Sequence, residues 1–101
     1  MLSLANNNLE DAIAVGRACE ELSSLKSLDL SKNKFKLLPE GSFVNLRTLQ
    51  MLNLASNNIE QVNTRSFTHL PALRKVDLSD NQIRNLPSKF FDTAPLLEEL
   101  R

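Results

Sequence analysis

The chain has 101 residues, with twelve basic and twelve acidic side chains and a formal net charge of zero. That balance leaves no bulk field to favour nucleic acid or an anionic membrane surface. A single cysteine, Cys19, excludes an internal disulfide, and there is neither a long apolar run nor a signal-peptide pattern.

The first element in chain order is a strand phrase, Leu2-Ser-Leu4-Ala-Asn-Asn7-Asn-Leu9. Asp11 to Leu22 then reads as a helix, with Asp11 placed to cap it and Ala12, Val15, Cys19 and Leu22 on one face. From Leu25 a phrase recurs every 24 residues: Leu25-Lys-Ser-Leu28-Asp-Leu30, Leu49-Gln-Met-Leu52-Asn-Leu54, Leu73-Arg-Lys-Val76-Asp-Leu78, and a restart at Leu97-Glu-Glu-Leu100. Each core alternates apolar and polar, so its apolar residues share one strand face and the residue between them takes the other. Strands this far apart in sequence pair in parallel through a crossover. The general handedness rule makes that crossover right-handed. The expected units are 1–24, 25–48, 49–72 and 73–96, with 97–101 opening another.

Asn7, Asn33, Asn57 and Asn81 stand three residues beyond the last leucine of each phrase, where the chain turns off the strand. A turn buried between coils strands backbone N–H and C=O groups, at a cost of roughly 1–3 kcal/mol each. A carboxamide both donates and accepts, so a stack of them can bridge adjacent turns. Beyond the turn, Phe35, Ile59 and Ile83 repeat, then Leu38, Val62 and Leu86, then Phe43, Phe67 and Phe91. A phenylalanine column at constant spacing fills the space behind a sheet; the alternative use, a ligand groove, has less to support it. Cys19 falls in the phenylalanine register of the first unit and reads as a small buried hydrophobe. The first interval, Asn7 to Asn33, is 26 residues instead of 24. Neither end shows a polar capping repeat, so the expectation is one array over residues 1–101, cut from a longer one.

The pattern L-x-x-L-x-L-x-x-N-x-L-x-x-L-P, followed by F-x-x-L, is carried by Leu25–Leu46 and, with Val76 for leucine, by Leu73–Phe91. It resembles the 24-residue typical class of leucine-rich repeats. The unit between departs from it, with Val62-Asn63 where Leu-Pro is usual. The resemblance implies an α/β solenoid: a right-handed horseshoe segment with a parallel concave β-sheet and an irregular or short-helical convex side. This class is common in Toll-like receptors, Slit-type guidance proteins, chaoptin-like adhesion proteins and small matrix proteoglycans. It therefore implies a protein-interaction module of an extracellular or cell-surface receptor or adhesion protein. The helical first unit is more similar to the ribonuclease-inhibitor class of intracellular arrays, which keeps a cytoplasmic scaffold or regulatory subunit as the alternative.

Recognition is expected on the side chains that face out of the sheet. These are Lys26, Gln50 and Arg74; then Met51 and Lys75; then Asp29, Asn53 and Asp77; and past the strand Lys32, Ser56 and Asp80. Ser31, Ala55 and Ser79 recur too regularly for recognition and read as packing residues of the turn. Met51 is the apolar side chain expected in the open, either an anchor for a partner or an isolated exposed residue. No aromatic residue is expected on this face, which argues against a carbohydrate or single-stranded nucleic-acid platform. Catalysis needs a nucleophile and a base, or metal ligands, within reach of one another. The lone His69 belongs to the outer arc, and Asn53 separates Asp29 from Asp77. No catalytic residue, metal site or cofactor is expected. The expected partner is a protein on the concave face, with no nucleic acid and no membrane insertion by this segment.

Overall fold

The structure, a computed structural model, describes residues 1–19, 21–22, 24–43, 46–63, 65–67, 70–84 and 99–100. In chain order the elements are β1 (Leu2–Ser3), α1 (Ala12–Ala18), β2 (Ser27–Asp29), β3 (Leu37–Leu38), β4 (Met51–Asn53), β5 (Gln61–Val62), β6 (Lys75–Asp77) and β7 (Glu99–Leu100). Strands β1, β2, β4, β6 and β7 form one sheet in that order, all neighbours parallel. Leu28 pairs with Leu52 and Leu52 with Val76, one repeat apart each time. Leu2 pairs with Leu28, so the longer first unit keeps its strand in register and takes up its extra residues on the outer arc. The chain is a solenoid with a concave parallel sheet, each coil adding about 4.8 Å along it.

Behind the sheet one apolar cluster runs from coil to coil through the described residues, from Leu2 to Ile83. Leu28, Leu52 and Val76 head it, with Phe35 and Ile59, then Phe43 and Phe67, stacked behind them and buried. The asparagines close the turns between coils. Asn33 Nδ2 donates to Leu4 O at 3.0 Å in the coil before and to Leu30 O and Ser31 O in its own. Its Oδ1 accepts from the backbone N–H groups of Asn7 and Leu9. Asn57 donates to Leu30, Leu54 and Ala55 and accepts from Phe35 N–H. Asn81 donates to Leu54, Leu78 and Ser79 and accepts from Ile59 N–H. Each reaches back one coil. Asn7, expected to bridge in the same way, is exposed, and its Nδ2 donates within its own turn, to Leu4 O and Ala5 O. No coil lies on its far side among the described residues, so it has none to reach.

The first outer arc corrects the expected Asp11–Leu22 helix. Asp11 does cap α1, its Oδ1 accepting from the N–H groups of Ile13 and Ala14 at 3.0 and 3.1 Å. The helix stops at Ala18. Beyond it Leu22 N–H donates to Cys19 O and Leu25 N–H to Leu22 O, the bonds that also link Phe43 to Leu46 and Leu49, and Phe67 to Leu70 and Leu73. The return path to the sheet thus overrides helical continuation. Ala12, Val15 and Cys19 are buried, but Leu22 is 42% exposed. The convex side carries in addition a second parallel sheet, β3 with β5, which periodicity did not foretell. Leu86, Phe91 and His69 lie outside the described residues.

Candidate functional site

The concave face is made by β2, β4 and β6, whose central residues turn into the core and whose flanking residues turn out. Outward columns result, each stepping from strand to strand at about 4.8 Å. Ser27, Met51 and Lys75 lie in register at the strand starts, and Met51 is 48% exposed. Just ahead of them Lys26 and Arg74 are exposed and Gln50 is half-buried. Lys26 O accepts from the N–H groups of Gln50 and Met51, and Gln50 O from those of Arg74 and Lys75. The main chain carrying these side chains is therefore tied coil to coil, which fixes where they emerge.

At the strand ends Asp29, Asn53 and Asp77 lie in register, all half-buried. They are more than solvated polar residues. Asp29 Oδ1 accepts from Ser31 N–H at 2.9 Å and Ser31 O–H at 2.7 Å. Asp77 Oδ1 accepts from Ser79 in the same way, at 2.9 and 2.6 Å. Asn53 Oδ1 accepts from Ala55 N–H at 3.0 Å. A side chain that bonds its own backbone two residues on is held in one rotamer. Ser31 and Ser79, expected only to pack the turn, also donate a hydroxyl bond. The signal was present as Asp-Leu-Ser at residues 29–31 and 77–79 against Asn-Leu-Ala at 53–55. Between Met51 and this row the face is hollowed by a shallow, open depression of about 380 Å³.

Past the strand the chain makes a left-handed turn, with φ of 61° at Asn6, 58° at Lys32, 58° at Ser56 and 56° at Asp80. Asparagine and aspartate tolerate this region; other residues with a Cβ pay for it. The N–H groups of Lys32 and Ser56 donate to Ala55 O and Ser79 O in the following coil, which holds the turn in place. Ser56 Oγ also donates to Asp80 Oδ2 at 2.9 Å. The residues singled out for recognition therefore share one surface. Lys26, Gln50, Met51, Arg74 and Lys75 lie along its strand-start edge, Asp29, Asn53 and Asp77 across its middle, and Lys32, Ser56 and Asp80 at its turn edge.

This surface offers fixed acceptors, an amide, ammonium and guanidinium groups and a thioether, a set suited to noncovalent contact. Among the described residues no group of three or more His, Cys, Asp or Glu side chains is placed to hold a metal. Cys19 is buried behind the sheet, and burial pushes its thiol pKa up, away from the reactive thiolate. No helix among the described residues is long and apolar enough to cross a membrane.

Among solved structures the chain is similar to one described as "Structure of the Toll - Spatzle complex, a molecular hub in Drosophila development and innate immunity". The two are 28% identical with a TM-score of 0.57, over 93% of this chain and 15% of that one. No curated protein matches the sequence. The family model described as "Leucine rich repeat" matches residues 1–59, 23–83 and 47–101, which overlap to span the chain. With the parallel sheet, its one-repeat register and the asparagine stack, this places the chain in the leucine-rich repeat family.

Proposed function

We propose that this chain binds a protein partner on its concave sheet, without catalysis, as part of an extracellular or cell-surface receptor or adhesion protein. The observation that carries the reading is the face itself: Met51 stands exposed beside a row of side chains already held in one rotamer. Preorganised contacts cost little ordering entropy when a partner arrives. The similarity to a structure of the Toll–Spatzle complex supports a protein ligand, and the resemblance of the 24-residue pattern to the typical class supports an extracellular setting. A photocrosslinking residue placed at Met51 should capture a partner that the same residue at Arg65, on the outer arc, does not. Met51→Arg should then weaken that partner's binding by about thirtyfold or more, the scale of a hot spot. Equal capture at Arg65 would count against the concave face. The helical arc α1 favours a second reading, an intracellular scaffold. Labelling of the native protein on intact cells by a membrane-impermeant reagent would exclude it.

A further inference from the structure

We propose that the flank of the second coil, around Lys32 and Lys34 and adjoining the turn edge of the concave face, takes a short acidic segment of a protein partner. It rests on the reading that this chain binds a protein, and it places a contact outside the strands of the concave sheet. The chain's neutrality conceals a segregation of charge. Residues 25–48 carry Lys26, Lys32, Lys34, Lys36 and Arg47 against Asp29 and Glu40, whereas residues 1–24 carry Glu10, Asp11, Glu20 and Glu21 against Arg17.

Within Lys32-Asn-Lys34-Phe-Lys36 the alternate residues turn inward, Asn33 being 5% and Phe35 0% exposed. The three lysines therefore lie together on the outer side. All three are exposed, and none forms an ion pair among the described residues. Lys34 N–H donates to Leu9 O and Asn58 N–H to Phe35 O, which sets the flanks of the neighbouring coils alongside. Asn6 and Ser56 hold the positions equivalent to Lys32, and Asn8 and Asn58 those equivalent to Lys34. The three asparagines are neutral amides, and the Ser56 hydroxyl is already donated to Asp80. Glu10 and Glu60 hold the positions equivalent to Lys36, so that lysine has acidic residues in the neighbouring coils.

Two unpaired cations two residues apart, flanked by amide groups, complement two nearby carboxylates of a short acidic segment. A long polyanion laid over the patch would meet Glu10 and Glu60 within a few ångströms. The backbone supports the assignment. Lys32 has φ 58° where the same column holds Asn6, Ser56 and Asp80, and asparagine and aspartate are the residues suited to that turn. Lysine is the less stable choice locally, and a cation is what the position gains by it.

The test is a titration of the whole chain, followed by amide NMR shifts, with the capped peptide Gly-Asp-Gly-Asp-Gly. Its Asn-for-Asp analogue and a sulfated polysaccharide serve as comparisons. Saturable shifts are expected at residues 32–36 and at Asn8 and Asn58 with the Asp peptide alone. Lys32→Asn with Lys34→Gln should weaken that binding by about tenfold, as the loss of two exposed charge pairs. Lys32→Asn alone should weaken it while raising the unfolding midpoint, a combination that a merely structural lysine would not give. Equal binding of the Asn analogue, an unchanged affinity in the double variant, or binding of the polysaccharide without the Asp peptide would each overturn the proposal. Met51→Arg should leave this titration unchanged. If Met51→Arg abolishes partner binding while the Asp peptide fails to bind, the concave face stands and the flank falls.

Discussion

Asn57 shows how one side chain joins two coils. Its Nδ2 shares Leu30 O with Asn33 and Leu54 O with Asn81, so each carbonyl serves both lone pairs and successive asparagines depend on one another. Asn57 is 4% exposed. Asn57→Asp removes all three donated bonds and sets a carboxylate against carbonyl oxygens. The expected loss is about 3 kcal/mol or more by urea unfolding, and greater than that of Asn57→Ala, which leaves no charge behind. Equal losses would mean that the donated bonds are not what matters. At this scale the asparagines were legible because residue type and spacing together name the role. The Asp29, Asn53 and Asp77 turns were not, because apolar–polar alternation says only that a side chain faces out. What it then bonds is a local matter, visible in the residue two places on.

At the scale of elements, the departure from Leu-Pro at Val62-Asn63 has a physical reason. Asn63 N–H donates to Leu38 O at 2.9 Å, extending the β3–β5 pairing, and its Oδ1 accepts from Arg65 N–H at 2.8 Å. Proline at 63 could make neither bond. Pro39, the equivalent residue one coil earlier, faces a coil that has left the strand path for α1. There the bonds between coils run from Lys34 N–H to Leu9 O and next from Phe43 N–H to Ala12 O. Asn63→Pro, which restores the usual repeat pattern, should therefore lower stability by about 1 kcal/mol in thermal or urea unfolding. A stabilised variant would show that the turn's stiffness outweighs the two bonds. The strands of the concave sheet and the start of α1 were readable from period and cap. The end of α1 was not, since Leu22 continues the helical face in sequence while backbone turn bonds to Cys19 and Leu25 end the helix.

For the whole molecule the governing fact is that each coil touches only its neighbours, so stability adds along one dimension. Strand β4 pairs with β2 and β6, while β1 pairs with β2 alone. Phe67 is 1% exposed at the back of the same coil as β4, and Phe67→Ala should cost about 3–5 kcal/mol. That loss should not be felt evenly. Leu30 N–H donates to Asn53 O and Leu54 N–H to Asp77 O, both bonds made by the damaged coil, whereas Leu4 N–H donates to Asp29 O one coil away. Hydrogen exchange should accelerate most at Leu30 and Leu54 and least at Leu4, relative to the unsubstituted protein. A globular core losing the same contacts would open as one unit and accelerate all three alike. That uniform result would mean that the coils are coupled more tightly than nearest-neighbour stacking allows. The proposed face spans three of these coils, so under the graded outcome Phe67→Ala weakens a concave partner while leaving the flank of the second coil closer to its native state.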